Sequence, residues 1–412
     1  MSPSNVPGAG YPLDEELARL ARAAAEAVVR HRHALHEIPE RGFEEHETAG
    51  YLAQALAACG IAARTGVAGT GLVAELPGAG PGPTVMLRSD MDGLPIEEDP
   101  GHSPRSRHPG FMHACGHDGH MAILLGVAET IARAQAASAG TLPGRIVLLF
   151  QPAEENGPGA ARVVEEGVLD AWSVDYVLGL HLWSFLPRGL AIIPDGHVMA
   201  SSDEFHVYVA GKGGHGALPH EANDVVLALS HLVVTLQQVV AREIDPLKPA
   251  VLSVGRIAAG HACNVLPERG ELHGTFRAPD GAVRGRILHR IGELAQAIAL
   301  AHGVSVEVDF GTGYPPTVND PKVARVLREA ARVVLGESEV REGPPTMAAE
   351  DFAIYLQQRP GAFMLLGMRD EAQGAIHPHH NPRFRVADEV LPTGVEIMIR
   401  AALRLMRGEA TR

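Results

Sequence analysis

From Leu13 to Leu35, Ala, Leu and Val alternate with Arg and Glu at helical spacing, and Thr48 to Ala58 repeats the pattern up to Gly60. This predicts two amphipathic helices separated by a loop of turn chemistry, Leu35 to Thr48. Gly71 to Leu76 and Thr84 to Arg88 read as strands joined by a Gly/Pro-rich hairpin over Pro77 to Pro83. Arg145 to Phe150 and Asp175 to His181 are short continuous apolar runs that suit buried sheet strands, and the stretch from Met121 is helical again. Strands alternating with long helices predict an α/β fold with a central, mostly parallel sheet.

The pattern changes near Ser202. Strand Asp203 to Ala210, helix Asn223 to Ala241, strands Ala250 to Ile257 and Glu271 to Arg277, helix Val283 to Ala301 and strand Val304 to Phe310 follow one another. That β-α-β-β-α-β order is the ferredoxin-like unit, and it predicts an inserted α+β domain of about 110 residues. From Tyr314 the first pattern returns, with a helix over Pro321 to Leu335, a strand over Ala362 to Gly367 and a closing helix over Ala387 to Met406. After a short disordered start, the expected domains are residues 14–200 and 313–408 together, with 201–312 inserted.

Composition narrows the function. A chain of 412 residues exceeds one core, and 46% hydrophobic with 20% charged residues is ordinary for a globular enzyme. A formal net charge of −14 argues against nucleic acid and anionic membranes as partners. Cys59, Cys115 and Cys263 are too few and too scattered for a disulfide framework, so a cytoplasmic protein is expected. Met1 to Glu16 lacks a secretory pattern, and Val225 to Val240, the closest approach to a membrane span, is interrupted by His231, Gln237 and Gln238.

The densest chemistry lies in Met112 to His120, where His113, Cys115, His117, Asp118 and His120 fall within nine residues. All are groups that bind divalent metals. Asp118 stands where the N-cap of the following helix belongs, with Cys115 and His117 in the turn before it. Taken singly, Asp118 and His120 are read as a cap and a packed histidine. The strand ending at Phe150 runs into Glu154 and Glu155, whose side chains point in different directions, so one can ligate metal while the other acts as general base. His181 closes another strand, and the loop Ile376 to Pro382 offers one further ligand from His379 or His380. These five donors are too many for one tetrahedral zinc and suit two metals sharing a bridge. Asp90 and Asp92, at a third strand end, either orient a ligating histidine or serve the turn.

The segments LRSDMDGLPIEE, MHACGHDGHMA, LLFQPAEE, LGLH, GKGGHGALPH, NVLPERGELHGTFR, AAEDF and HHNPRF together resemble the M20 metallopeptidase family. The similarity is to its amidohydrolase branch of hippurate hydrolases, N-acetyl-diaminopimelate deacetylases and auxin-conjugate hydrolases. The resemblance implies a catalytic domain built on the mostly parallel sheet, with an inserted ferredoxin-like lid and dimerisation domain. It makes Cys115 the bridging ligand, completed by His117, Glu155, His181 and His380, for two divalent ions per subunit: zinc, manganese, cobalt or nickel. His380 is taken over His379 because His380-Asn-Pro-Arg-Phe384 fits the family's pattern, although Arg385-Val386 departs from the Asp-Phe that usually follows. Glu154 becomes the general base, His215 a helper at the reacting carbonyl, Asn264 and Arg277 the holders of a substrate carboxylate, and Asp90 and Asp92 supports behind the ligands. The implied reaction is cleavage of an N-acyl amino acid or small peptide-like conjugate by a metal-activated water. A dipeptidase or aminoacylase of the same fold is the runner-up, and a silent ligand-binding homologue the rival. The apolar circumference of helix Asn223 to Ala241, with the resemblance, implies a homodimer in which His215 serves its own or its partner's site.

Overall fold

The first helical stretch forms as two helices, α1 (Pro12–Ala23) and α2 (Ala25–His36), that meet at Ala24. The computed structural model describes residues 12–137, 141–311 and 313–411, so the expected disordered start lies outside the described residues. α3 (His46–Ala58), β1 (Ala63–Val67), β2 (Gly71–Leu76) and β3 (Thr84–Asp90) follow, then α4 (His117–Ala136), β4 (Arg145–Gln151), α5 (Gly159–Glu165), α6 (Val168–Ala171), β5 (Tyr176–Pro187) and β6 (Ala191–Ile192). Next come β7 (His197–Met199), β8 (Asp203–Ala210), β9 (Gly214–His215), α7 (Val225–Gln238), β10 (Val251–Ala259), β11 (Val265–Leu266), β12 (Arg269–Arg277), α8 (Gly281–His302), β13 (Ser305–Phe310) and β14 (Thr317–Val318). The chain ends with α9 (Pro321–Leu335), β15 (Val340–Arg341), α10 (Ala353–Leu356), β16 (Gly361–Arg369) and α11 (Leu391–Met406).

Packing divides the chain into two units. One holds residues up to Gly196 with Asn319–Gly343 and Ile354 onward, the other His197–Val318 with Pro344–Ala353. The return of residues 344–353 to the second unit has no signal in the hydrophobic pattern.

The first unit is built on an eight-stranded sheet of order β1-β2-β4-β3-β5-β16-β6-β15, in which β4, β3, β5 and β16 run parallel. β3 is buried along its whole length, as a strand covered on both faces must be. α4 is buried around nearly its whole circumference, packed against α2 and α11, which explains why its apolar positions do not confine themselves to one stripe. The predicted β2–β3 hairpin is corrected: β4 lies between those strands, antiparallel to β2 and parallel to β3. The glycines of that connection serve a close crossing. A Cβ at Gly78 would fall 2.0 Å from the Gly144 carbonyl oxygen, and the Gly82 N–H donates to the Pro143 oxygen at 2.9 Å.

The second unit carries the antiparallel sheet β10-β12-β8-β13, the ferredoxin-like order predicted from the sequence. β8 alternates buried and exposed positions, and its Phe205, Val207 and Val209 meet Leu229, Leu232 and Leu236 of α7 and Ile287 and Ile291 of α8. α7 runs on into a π-turn, Val239–Glu243; together they are long and apolar enough to cross a membrane by length and composition, yet Val225, Leu229, Leu232 and Leu236 are buried on this unit's own sheet.

Candidate functional site

The turn before α4 is set by backbone. Gly116, at φ 100°, is the residue that caps the helix, because a side chain there would be strained in the left-handed region. Asp118 is therefore not the N-cap. It lies inside the first turn, where its carboxylate accepts from His36 Nδ1–H at 2.8 Å and lies 3.7 Å from Arg32. The early cap places Cys115 just outside the helix and His117 as its first residue.

His181 does not close its strand. β5 continues to Pro187, but its pairing with β3 stops at Gly179, so His181 stands on the part of β5 that runs beyond β3's pairing. There its Nε2 lies 3.4 Å from Cys115 Sγ. Glu154 and Glu155 leave the end of β4 after Ala153, and His380 comes from the loop before α11, held by its N–H on the Ala114 oxygen at 2.8 Å.

The donor atoms of Cys115, His117 and His181 lie within 4.8 Å of one another, as do those of Cys115, Glu155 and His380, and those of His117, Glu154 and Glu155. Cys115 Sγ belongs to two of these trios. His380 Nε2 is 3.2 Å from Glu155 Oε1, and His117 Nε2 is 3.8 Å from the same oxygen.

Hydrogen bonds fix what each imidazole can offer. His117 Nδ1–H donates to the Asp92 carbonyl oxygen at 2.9 Å and His181 Nδ1–H to the Leu182 oxygen at 2.8 Å, so both turn Nε2 inward. His117 Nε2 is buried without a hydrogen-bond partner. His120 and His379 have spent theirs: His120 Nε2 accepts from Leu182 N–H at 2.9 Å while its Nδ1–H donates to Asp90 at 2.8 Å, and His379 Nε2 accepts from Ser184 N–H at 3.1 Å. His379 instead packs among Trp183, His181 and Phe384, and burial with the neighbouring His380 pushes it down to about 3.

The field in the cluster calls for positive charge. Burial opposes protonation of His117, but Asp90, Asp92 and Glu155 outweigh it and raise the ring to about 10. Burial and the charges of Glu155, Glu154 and Asp90 push the Cys115 thiol well above its usual range, so a thiolate there needs a cation beside it. His181 is pushed well below its ordinary value by burial and by His120 and His379, which leaves it neutral with its lone pair available.

Of the two aspartates, Asp92 holds the Glu155 N–H at 2.9 Å and lies 3.4 Å from His117 Nδ1. Asp90 binds His120 and the buried Arg88, which also donates to Gln151. His120 and Arg88 thus support the cluster without joining it. From sequence alone His120 reads as a packed histidine; Arg88, a cation between the apolar run Val85 to Leu87 and Asp90, was the available signal.

The other three predicted residues belong to the second unit. His215 on β9 pairs with Val265 on β11, and Asn264 precedes β11, its carbonyl accepting from Gly216 N–H at 2.8 Å. His215 Nδ1 accepts from Ala217 N–H at 3.0 Å, which leaves its proton on Nε2. Arg277 ends β12, with one guanidinium nitrogen tied to Thr275 Oγ1 and the Phe276 oxygen.

A two-unit α/β chain with a thiol, imidazole and carboxylate cluster at the parallel sheet, buried at His117 and His181 and open at His380, defines a class of metal-site hydrolases. The chain belongs to peptidase family M20/M25/M40, whose family model matches residues 86–404. It is similar to the N-acetyl-L-cysteine deacetylase of Bacillus subtilis (strain 168), 38% identical over 91% of this chain and 87% of that protein. The IAA-amino acid hydrolase ILR1-like 2 of Arabidopsis thaliana is 37% identical over 93% of this chain and 86% of its own length. The crystal structure of the Bacillus subtilis YXEP protein, a dinuclear metal binding peptidase from the M20 family, superposes with a TM-score of 0.81 at 29% identity, covering 94% of this chain and 99% of that one.

Proposed function

We propose that the protein is a metal-dependent amidohydrolase that cleaves the amide bond of N-acyl amino acids or related small conjugates. The observation that carries this is the pair His117 and His181, whose Nδ1–H groups are pinned to backbone carbonyls while both Nε2 atoms face Cys115 or Glu155, the tautomer that metal-ligating histidines adopt. Cys115, His117, Glu155, His181 and His380 are the residues that would hold two divalent ions, and the negative field around them supports that assignment. Bound ions would polarise the scissile carbonyl and make water a stronger acid. The thiol favours a softer ion such as zinc, while the imidazoles and carboxylate also accept manganese, cobalt or nickel.

Glu154 is the general base in this reading. It is buried, and its carboxylate lies within 4.8 Å of the His117 and Glu155 donors, so it can take the proton of the attacking water and return it to the departing amine. His215, protonated on Nε2, is in the tautomer that donates to a developing oxyanion. Arg277 supplies a fixed cation for the substrate carboxylate, with Asn264 beside it in role. Cys59, Cys115 and Cys263 are free thiols, which suits a reducing cytoplasm. A homodimer through α7 and β10 is part of the proposal, since Val226, Leu227 and Val234 of α7 and Val251 and Ile257 of the edge strand β10 are exposed.

The test is hydrolysis of N-acetyl and N-benzoyl amino acids against dipeptides by metal-reconstituted protein. Turnover of the N-acyl amino acids that stops on chelation and returns with a divalent ion is expected. Faster dipeptide cleavage would replace the reading with a dipeptidase. Metal-loaded protein inert toward both sets would replace it with a silent binding homologue.

A further inference from the structure

The loop between α2 and α3 presses on the turn that carries Glu154 and Glu155. Its turn Arg41–Glu44, closed by Glu44 N–H on the Arg41 oxygen at 2.9 Å, places Phe43 at φ 67°. The Phe43 ring has the Arg162 guanidinium of α5 3.9 Å above it. A Cβ at Gly42 would fall 2.8 Å from Ala153 Cβ, so the loop has no room to move closer. Glu45, fully buried, accepts the Ala153 N–H at 2.9 Å on one oxygen and the Thr70 hydroxyl at 2.5 Å on the other.

Ala153 is a non-glycine residue at φ 52°, directly before the two carboxylates. That conformation is costly for an L residue and persists only where surrounding structure enforces it. Here two carboxylates hold alternate N–H groups of one turn, Glu45 that of Ala153 and Asp92 that of Glu155. Glu45 is itself a costly group to bury, pushed up to about 7 by desolvation, and its partners here are neutral donors. A buried carboxyl of this kind calls for a return elsewhere, and the enforced turn is where its hydrogen bond goes.

We propose that Glu45 is a positioning residue for the Glu154–Glu155 turn, its carboxylate locking Ala153 in the left-handed conformation that aims both acids into the donor cluster. This rests on the assignment of Glu154 as base and Glu155 as ligand, and it adds a residue that is itself fully buried behind that turn.

The experiment combines Glu45→Ala, Glu45→Gln, Ala153→Gly and the double variant Glu45→Ala with Ala153→Gly, read by denaturation midpoint, metal per chain, kcat and KM. Glu45→Ala should lower metal content and reduce kcat by roughly 10–100-fold with a smaller change in KM, the scale of a misplaced catalytic group. Glu45→Gln keeps an acceptor for Ala153 N–H and an amide donor for Thr70, so it should stay within about 3-fold of the natural protein. Glycine adopts positive φ freely, so the double variant should recover at least about 5-fold of the kcat lost in Glu45→Ala, and Glu45→Ala should shift the midpoint less in that background. Absence of coupling between the two sites in the midpoint overturns the brace. Coupling with unchanged metal content and kcat in Glu45→Ala overturns the positioning role. A natural protein that holds no metal and hydrolyses nothing would refute the hydrolase reading instead, and the midpoint cycle would still decide the brace.

Discussion

Glu154 and Glu155 leave one backbone turn with different surroundings, and the difference is testable side chain by side chain. Glu155 lies 3.2 Å from His380 Nε2 and 3.8 Å from His117 Nε2, where a ligand belongs. Glu154→Gln should therefore retain metal and substrate binding while turnover falls by ~10²–10⁴-fold, the usual loss of a general base. Glu155→Gln should lose metal; an exchange of the two phenotypes in elemental analysis and steady-state kinetics would reverse the assignment. Cys115→Ala should lower metal per chain with little loss of fold, because the thiol stands outside α4 on a corner fixed by the backbone of Gly116; unchanged metal content would make Cys115 a plain core thiol. The residue types of the cluster stood out because a Cys-x-His before a helix, an acid pair after an apolar strand and further histidines at strand and loop ends occur together in one chain, although each alone has an ordinary structural use. What the sequence could not show was which histidines keep a free lone pair. That is decided by the N–H groups of Leu182 and Ser184, which occupy His120 and His379 from a strand distant in sequence.

Elements, rather than single residues, hold the corner in register, and α2 is tied to α4 by charge. His36 on α2 stands between Asp118 at 2.8 Å and Glu98 at 2.7 Å, with Arg32, His102 and His113 also facing it. Burial alone would lower His36, but the charge and hydrogen bond of Asp118 and the bond to Glu98 prevail and raise it to about 8. Its folded value lies above the unfolded 6.5, so this tie contributes fully below about pH 6.5 and is lost as pH rises through about 8. The shift corresponds to about 2 kcal/mol. His113, pushed down to about 4 by burial, has the opposite sense: its contribution is present above pH 6.5 and fades as pH falls toward 4. The His36 term is isolated by urea unfolding of the natural protein against His36→Gln at pH 6 and pH 9; the stability gap should shrink by about 2 kcal/mol at the higher pH. A gap independent of pH would mean that His36 is not charged in the fold. At this scale most helices and strands were legible from periodicity. The Pro77–Pro83 connection was not, because a glycine run looks the same in composition whether it makes a tight turn or lets one backbone pass close to another. Asp118 misled for a related reason: it is a good capping residue, but Gly116 had already ended the preceding chain in the left-handed region.

At the scale of the whole molecule, the second unit exposes apolar residues at several places, among them Leu247 and Leu300, and α7 with its neighbour β10 carries five of them: Val226, Leu227, Val234, Val251 and Ile257. Val234 is 72% exposed on α7 and Val251 45% exposed on β10, an edge strand whose outer row of N–H and C=O groups has no strand beside it among the described residues. Edge strands of this kind are either shielded or paired, and a two-fold contact would cover strand and helix faces together. His215 lies in the same unit, so a dimer built there bears directly on which site it serves. Mixing His215→Ala protein with Glu154→Gln protein under exchange separates the cases. If His215 acts on the partner's site, each mixed dimer contains one site with both groups intact, and random exchange should restore about a quarter of natural activity. Mixed dimers that form and stay inactive place His215 in its own subunit's site. Sedimentation of the natural protein as a monomer alone would remove the dimer, and the exposed face of α7 would then need another occupant.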